Sequence, residues 1–183
     1  ARVGAQTAER IKNISAMRGT SMHTYLEGYL TDQKHLDLTA LGQEAGKMAD
    51  IVIRSGLGDL EEVWGTEVTL FYPGLYAGAT DAVGIYNGRE SIIDFKQTNK
   101  PKQREWIGDY FTQLAAYAMA HNHVYGTNIQ SGIILMCSKD GYFQKFEVLD
   151  KEFQGYMHTF LKKVDQYYAN CTKDPNDQGT KND

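Results

Sequence analysis

The sequence has two cysteines, no apolar run long enough to span a bilayer, no secretory signal, no excess of basic residues and no complete dinucleotide-binding fingerprint. Each absence closes a class. Cys137 and Cys171 cannot build a disulfide framework, and Cys137 lies in an apolar strand-like run, so the thiols fit a reducing, intracellular compartment. Without a spanning run or a signal, no membrane association is expected. Gly56-Leu57-Gly58 lacks the third glycine of a phosphate-cradling loop and reads as a plain connection. The chain does not open on methionine, as a trimmed or processed chain would not, so cytoplasm and an organelle reached through a removed targeting segment both stay open. A net charge of −4 argues against a surface coated in cations. It leaves nucleic acid open as a partner, because a metal and a few local cations can do the phosphate work.

What is present is globular. The 183 residues, 42% hydrophobic and 11% aromatic, suffice for one domain with a core that needs no staples. No internal repeat or linker appears. Thr172 to Asp183 has no apolar periodicity and is expected to be a disordered tail, leaving residues 1–171 as a single domain.

Periodicity supplies the elements. Ala1 to Met17 reads as a helix, interrupted at Arg18-Gly19-Thr20, with Thr20 or Ser21 capping a second helix to Leu30. His23 and Glu27 share a face of that helix, a spacing that also suits a surface hydrogen bond. Leu41 to Arg54 is a weaker helix, and Leu60 to Tyr72 a strand ended by Pro73-Gly74. Trp106 to Asn122 repeats apolar residues at helical spacing, with Gln113 and Tyr117 on one face. His121 and His123, two apart, do not share a helical face and sit where the helix is expected to end before Gly126. Ile129 to Ser138 and Tyr142 to Leu149 read as strands, and Asp150 as the cap of a last helix through Tyr167.

The chemistry concentrates in Tyr76 to Thr98, YAGATDAVGIYNGRESIIDFKQT. Asn87-Gly88 is a strong two-residue hairpin turn, since both residues tolerate positive φ. The register then pairs Tyr86 with Arg89 and, carried to the base, Asp81 with Asp94. A four-residue loop keeps that pairing; a three-residue loop separates the acids. Facing carboxylates repel unless a cation lies between them. Lys96 shares the Asp94 face and Phe95 points into the core, because strand side chains alternate. Alone, Asp-x-Lys is also the pattern of an exposed hydrophilic strand face.

Helices, three strands, a helix, two strands and a helix, with Gly78-x-x-Asp81, Asp94-x-Lys96 and Gln113-x-x-x-Tyr117 in that order, resemble the RecB-like branch of the PD-(D/E)xK nuclease superfamily. Arg18 to His23, with Glu27 beyond, resembles the branch's leading helical motif. DFKQTNKPKQ, QLAAYAMAHNH and SGIILMCSKDG are most similar to the mitochondrial genome maintenance exonucleases and related phage exonucleases. The superfamily's proline is absent, with Ala79-Thr80 before Asp81. The iron–sulfur relatives need four cysteines, so no such cluster is expected here.

The resemblance implies an α/β fold with a restriction-endonuclease-like core, a mixed central β-sheet flanked by α-helices. It implies a Mg²⁺ or Mn²⁺ ion held by His23, Asp81, Asp94 and the Phe95 carbonyl, with Lys96 orienting the attacking water and Gln113 and Tyr117 lining the site. For those last two, helix packing is the other reading. Glu67 would support a second ion or simply be solvated at a strand edge. The expected activity is DNA exonuclease on single strands with a free end, leaving 5′-phosphates. A structure-specific endonuclease and an inert nucleic-acid-binding module are the alternatives. Substrate contacts are expected from Arg18, Thr20, Tyr25, Lys100, Lys102, Arg104 and Trp106, with Tyr29 and Tyr110 as further stacking candidates. A monomer is expected.

Overall fold

The computed structural model describes residues 4–171. Residues 1–3 and the expected tail, 172–183, lie outside the described residues. The elements are α1 (Ala5–Leu30), α2 (Ala40–Gly56), β1 (Leu60–Tyr72), β2 (Tyr76–Tyr86), β3 (Arg89–Thr98), α3 (Gly108–Tyr125), β4 (Ser131–Ser138), β5 (Phe143–Leu149) and α4 (Asp150–Cys171). The five strands form one sheet in sequence order. It is mixed: β3 and β4 run parallel and the other neighbours antiparallel. A parallel pair needs a crossover, which α3 provides. The expected α/β fold with helices on both faces is what the chain adopts.

Alternation along the central strands builds two cores. Ile93, Phe95, Ile133 and Leu135 meet Met22 and Leu26 of α1 and Met48 and Val52 of α2. Ile92, Ile134 and Met136 meet Phe111, Leu114 and Ala118 of α3 and Phe153 of α4. β4 is buried along its whole length, as its unbroken apolar run requires. Both cysteines are free. Among the described residues no helix is long and apolar enough to cross a membrane.

Two local expectations are corrected. α1 does not break at Arg18-Gly19-Thr20 but runs unbroken to Leu30. Thr20 turns its hydroxyl back to the Ala16 carbonyl instead of capping a new helix. A helical glycine costs roughly 1 kcal/mol against alanine, and packing of Met22 and Leu26 outweighs it. α3 likewise runs past Asn122 to Tyr125, where Gly126 closes it at φ 68°. At α4, the Asp150 carboxylate meets Arg89 at 2.8 Å.

The Asn87-Gly88 turn forms as expected, with φ of 50° and 74°. β2 and β3 pair from Tyr86↔Arg89 to Ala82↔Ile93, and the ladder stops one step short of Asp81 and Asp94. Beyond that point β2 stays with β1 while β3 stays with β4. The two strands part, and the acids stand in the fork.

Candidate active site

At the fork, side chains take over from the backbone ladder. The Phe95 N–H donates to Asp81 Oδ2 at 2.6 Å, and the Thr80 hydroxyl donates to the Ile93 carbonyl at 3.3 Å. The other Asp81 oxygen lies 3.0 Å from Nδ1 of His23, carried across by α1. Burial pushes the Asp81 carboxyl up, but the His23 hydrogen bond and charge, the Phe95 N–H and a hydrogen bond from Asp94 outweigh it and hold it below its ordinary range. His23 shows the complementary balance. Burial lowers its imidazole, and the hydrogen bond and charge of Asp81, with the charge of Asp94, bring it above the usual value.

Asp94 is the deeply buried member. Lys96 Nζ lies 2.5 Å from its Oδ2. That contact is close but poorly aimed, so the oxygen is paired by charge and has no directed hydrogen bond. Burial drives the Asp94 carboxyl up, Lys96 pulls against that rise, and Asp81 reinforces it. Lys96 itself loses by burial and gains more from Asp94, which leaves it above the ordinary amine range. The pair thus favours the ammonium form of Lys96. Its Nζ also sits 5.0 Å from the centre of the Tyr110 ring.

Glu67 is more than a solvated strand-edge residue. The β1–β2 register passes from Thr66↔Ala82 to Val68↔Thr80, which puts Glu67 across from Asp81. Its φ is 47°, the left-handed region that a non-glycine strand residue adopts only under constraint. One ligand atom each from His23, Glu67 and Asp81 fall within 4.8 Å of one another. Burial first, then Asp81 and Glu27, push the Glu67 carboxyl up, with His23 opposing. Residue order alone does not show this: a two-residue turn at Pro73-Gly74 would pair Tyr72 with Leu75 and Glu67 with Thr80, whereas the loop holds three residues, Tyr72 pairs with Tyr76, and the extra residue brings Glu67 opposite Asp81.

The donor set of two carboxylates and one imidazole fits a hard divalent cation. A recess of about 530 Å³ lined by Gly19, Thr20, His23, Glu27 and Glu67 opens on one side of the cluster. Another of about 580 Å³, lined by Lys12, Ser15, Gly19, His23 and Lys96 among others, meets it at Gly19 and His23.

α3 supplies the opposite wall. Gln113 Nε2 donates to the Tyr117 hydroxyl at 2.7 Å. Burial, followed by Asp94 and Asp81 against Gln113 and Lys96, raises that hydroxyl's pKa. Gly78 makes room for the Tyr117 ring, since a Cβ there would come within 2.6 Å of it.

The remaining candidates divide. Thr20 borders the cluster, Lys100 is exposed, and Trp106 is 65% exposed just before α3. Lys102 uses its backbone to hold the Gln144 amide. Arg18 is buried, bonded to Glu44 at 2.9 Å and to Asn99 at 3.1 Å, and clamps α1 to α2 and to the end of β3. Tyr25 hydrogen-bonds both backbone groups of Asp37. Arg104 grips Glu152 with paired bonds, bonds the Glu147 carbonyl and covers Phe111. These three are engaged in the architecture. His121 is not part of the cluster and bonds Thr127 at 2.8 Å.

No family model matches the chain. Mitochondrial genome maintenance exonuclease 1 of Mus musculus is 28% identical over 165 residues, covering 87% of this chain and 48% of the relative. The Homo sapiens protein of the same name is 28% identical over 166 residues, covering 82% of this chain and 45% of its own length. The chain thus spans about half the length of these relatives. A crystal structure described as a candidate exonuclease from Eubacterium rectale superposes with a TM-score of 0.60 at 14% identity, over 84% of this chain and 65% of that one. The forked sheet, the acid cluster and these likenesses agree: the chain has a PD-(D/E)xK-like exonuclease fold, distantly related to mitochondrial genome maintenance exonuclease 1.

Proposed function

We propose that the protein is a metal-dependent deoxyribonuclease that digests single-stranded DNA from a free end and leaves 5′-phosphates. The observation that carries the reading is the convergence of His23, Glu67 and Asp81 within 4.8 Å, next to the buried Asp94–Lys96 pair. In this reading His23, Glu67, Asp81, Asp94 and the Phe95 carbonyl hold Mg²⁺ or Mn²⁺. The bound ion supplies Lewis-acid stabilisation of the phosphate and a more acidic water.

The chain's own groups do the rest. Lys96, kept charged by Asp94, faces the negative charge that builds on the phosphate and orients the attacking water. Gln113 holds the Tyr117 hydroxyl, and together they wall the site opposite His23. Lys100, Thr20 and Trp106, which border the cluster or stand exposed beyond β3, contact the strand. With a net charge of −4, a long duplex finds few phosphate contacts, and such contacts weaken steeply with salt. A single strand offers unstacked bases, each worth about 1–3 kcal/mol on an aromatic side chain. The names of the relatives support an intracellular setting, mitochondrial or otherwise.

The deciding experiment compares linear single-stranded, circular single-stranded and blunt duplex DNA in Mg²⁺ or Mn²⁺. Linear strands are degraded, circles spared and the duplex cut poorly. Rapid cutting of circles would assign an endonuclease instead, and binding without cutting in any metal an inert module.

A further inference from the structure

Gln113 and Tyr117 have a second side. Together with Tyr76, Thr112, Ala116 and Phe160 they line a recess of about 350 Å³ between α3, α4 and the start of β2. That volume lies in the usual range of small-molecule sites, about 300–1,000 Å³. Its walls are mainly aromatic and aliphatic. Tyr76 and Phe160 meet edge to face at 4.6 Å, and the Tyr76 hydroxyl donates to the Ala116 carbonyl at 2.7 Å, which fixes the ring on α3. A ring held in this way loses little freedom when a flat partner stacks on it. Lys163 and Asp109, 2.8 Å apart, add an ion pair to the lining of the recess.

We infer that this recess is a base-binding subsite, which takes one nucleobase of the DNA strand whose phosphate lies at the acid cluster. The inference rests on the nuclease reading above and adds where the strand is gripped. Continuity is the main argument. Tyr117 belongs to both places, bonded to Gln113 and packed on Gly78, three residues before Asp81 in the sequence. A ligand occupying both sides of Tyr117 needs an anionic link at the cluster and a flat, largely apolar group in the recess, and a nucleotide has that build. The polar complement agrees. Gln113 gives one N–H to Tyr117, and its amide carries a second N–H and a carbonyl, a donor and acceptor that suit the edge of any base. Sequence-tolerant gripping follows, because stacking does not distinguish bases strongly. The aromatic recess between Trp64, His121 and Tyr125, of about 360 Å³, is lined by neither Gln113 nor Tyr117 and lacks that link.

The test uses the full chain and linear single-stranded oligonucleotides with a base-free tetrahydrofuran residue, or with 2-aminopurine, at successive positions from the end. At one position, removing the base raises KM about tenfold, near the lower end of stacking energies, while kcat changes little, as loss of uniform binding requires. Phe160→Ala raises KM similarly on the base-bearing strand and adds nothing on the base-free one. Ala77→Phe blocks the recess from an exposed position. It removes no buried packing, and it has the same effect, so a folding defect in Phe160→Ala does not decide the matter. Unchanged KM in Ala77→Phe, or equal losses with and without the base, overturns the subsite and leaves the nuclease reading standing. If the wild type cuts no DNA, the nuclease reading falls separately and 2-aminopurine fluorescence in Ca²⁺ decides. Position-specific quenching lost in Ala77→Phe supports the subsite, and quenching that is absent or unaltered rejects it.

Discussion

The two ends of the β2–β3 hairpin are built on opposite principles. At the tip, Asn87 and Gly88 adopt the positive φ that their chemistry favours, and backbone pairs follow in regular register. At the base the ladder stops, Asp81 accepts the Phe95 N–H that a strand would have taken, and Asp94 is buried with an oxygen left without a directed hydrogen bond. Just across β2, Glu67 holds a φ of 47° that its residue type disfavours. The tip is locally consistent and the base is not. Inconsistency of that kind collects at functional sites, where surrounding structure over-determines a strained arrangement.

The largest effect should come from the base. Lys96→Ala should lower metal-dependent cleavage of a labelled single strand by about a hundredfold or more, in line with removing one preorganised electrostatic group. Its far-UV circular dichroism should stay that of the wild type. Near-normal cutting by this variant would remove Lys96 from the site and take the comparison's functional half with it.

Glu67→Gln sharpens the contrast through stability. Removing a carboxylate that Asp81 and Glu27 repel should hold or raise the melting temperature of the metal-free protein. In the wild type, Mg²⁺ or Mn²⁺ at about 100 times Kd should stabilise by about 2.7 kcal/mol, and that gain should shrink in Glu67→Gln, His23→Ala and Asp81→Ala. A full metal-induced shift in Glu67→Gln would show the ion to be held elsewhere.

The tip should behave in reverse. Gly88→Val forces a β-branched residue to φ 74° and should cost about 1 kcal/mol or more. In a chain of this size that is a fall of about 2–4 °C in melting temperature. Cleavage per folded molecule should not change. A loss of activity without a loss of stability would mean that the hairpin's two ends are coupled.

The smallest effect concerns His121, which lies outside both the turn and the acid cluster. Burial lowers its imidazole, with Glu90 opposing. A depressed histidine stays neutral in the folded state while the unfolded chain takes the proton, so stability falls as pH drops below about 6.5. Between pH 7.5 and 5.5 the melting temperature of His121→Gln should fall by about one degree less than that of the wild type. Identical slopes would mean that His121 titrates alike in both states.

Much of this was legible from residue order. Asn87-Gly88 specified its turn, apolar spacing placed β1, β4, α2 and α3 to within a few residues, and Asp94-x-Lys96 marked the side of β3 that carries charge. The weaker readings needed distant partners. Gly19 looks like a helix break until Met22 and Leu26 are seen packed in the core. Arg18 and Arg104 read in the sequence as phosphate contacts, and only the fold shows that each also pairs with a carboxylate, Glu44 or Glu152. What the sequence determined alone were the turns and periods, because positive φ, alternation and helical spacing act between neighbours a few residues apart. Only the tertiary structure decided which carboxylates meet. β2 keeps its pairing with β1 throughout but parts from β3 below Ala82, and there Glu67, from β1, and His23, from a helix on the sheet's flank, meet Asp81. Coulomb repulsion and burial act through space, so charges far apart in sequence become one site only where the fold brings them together.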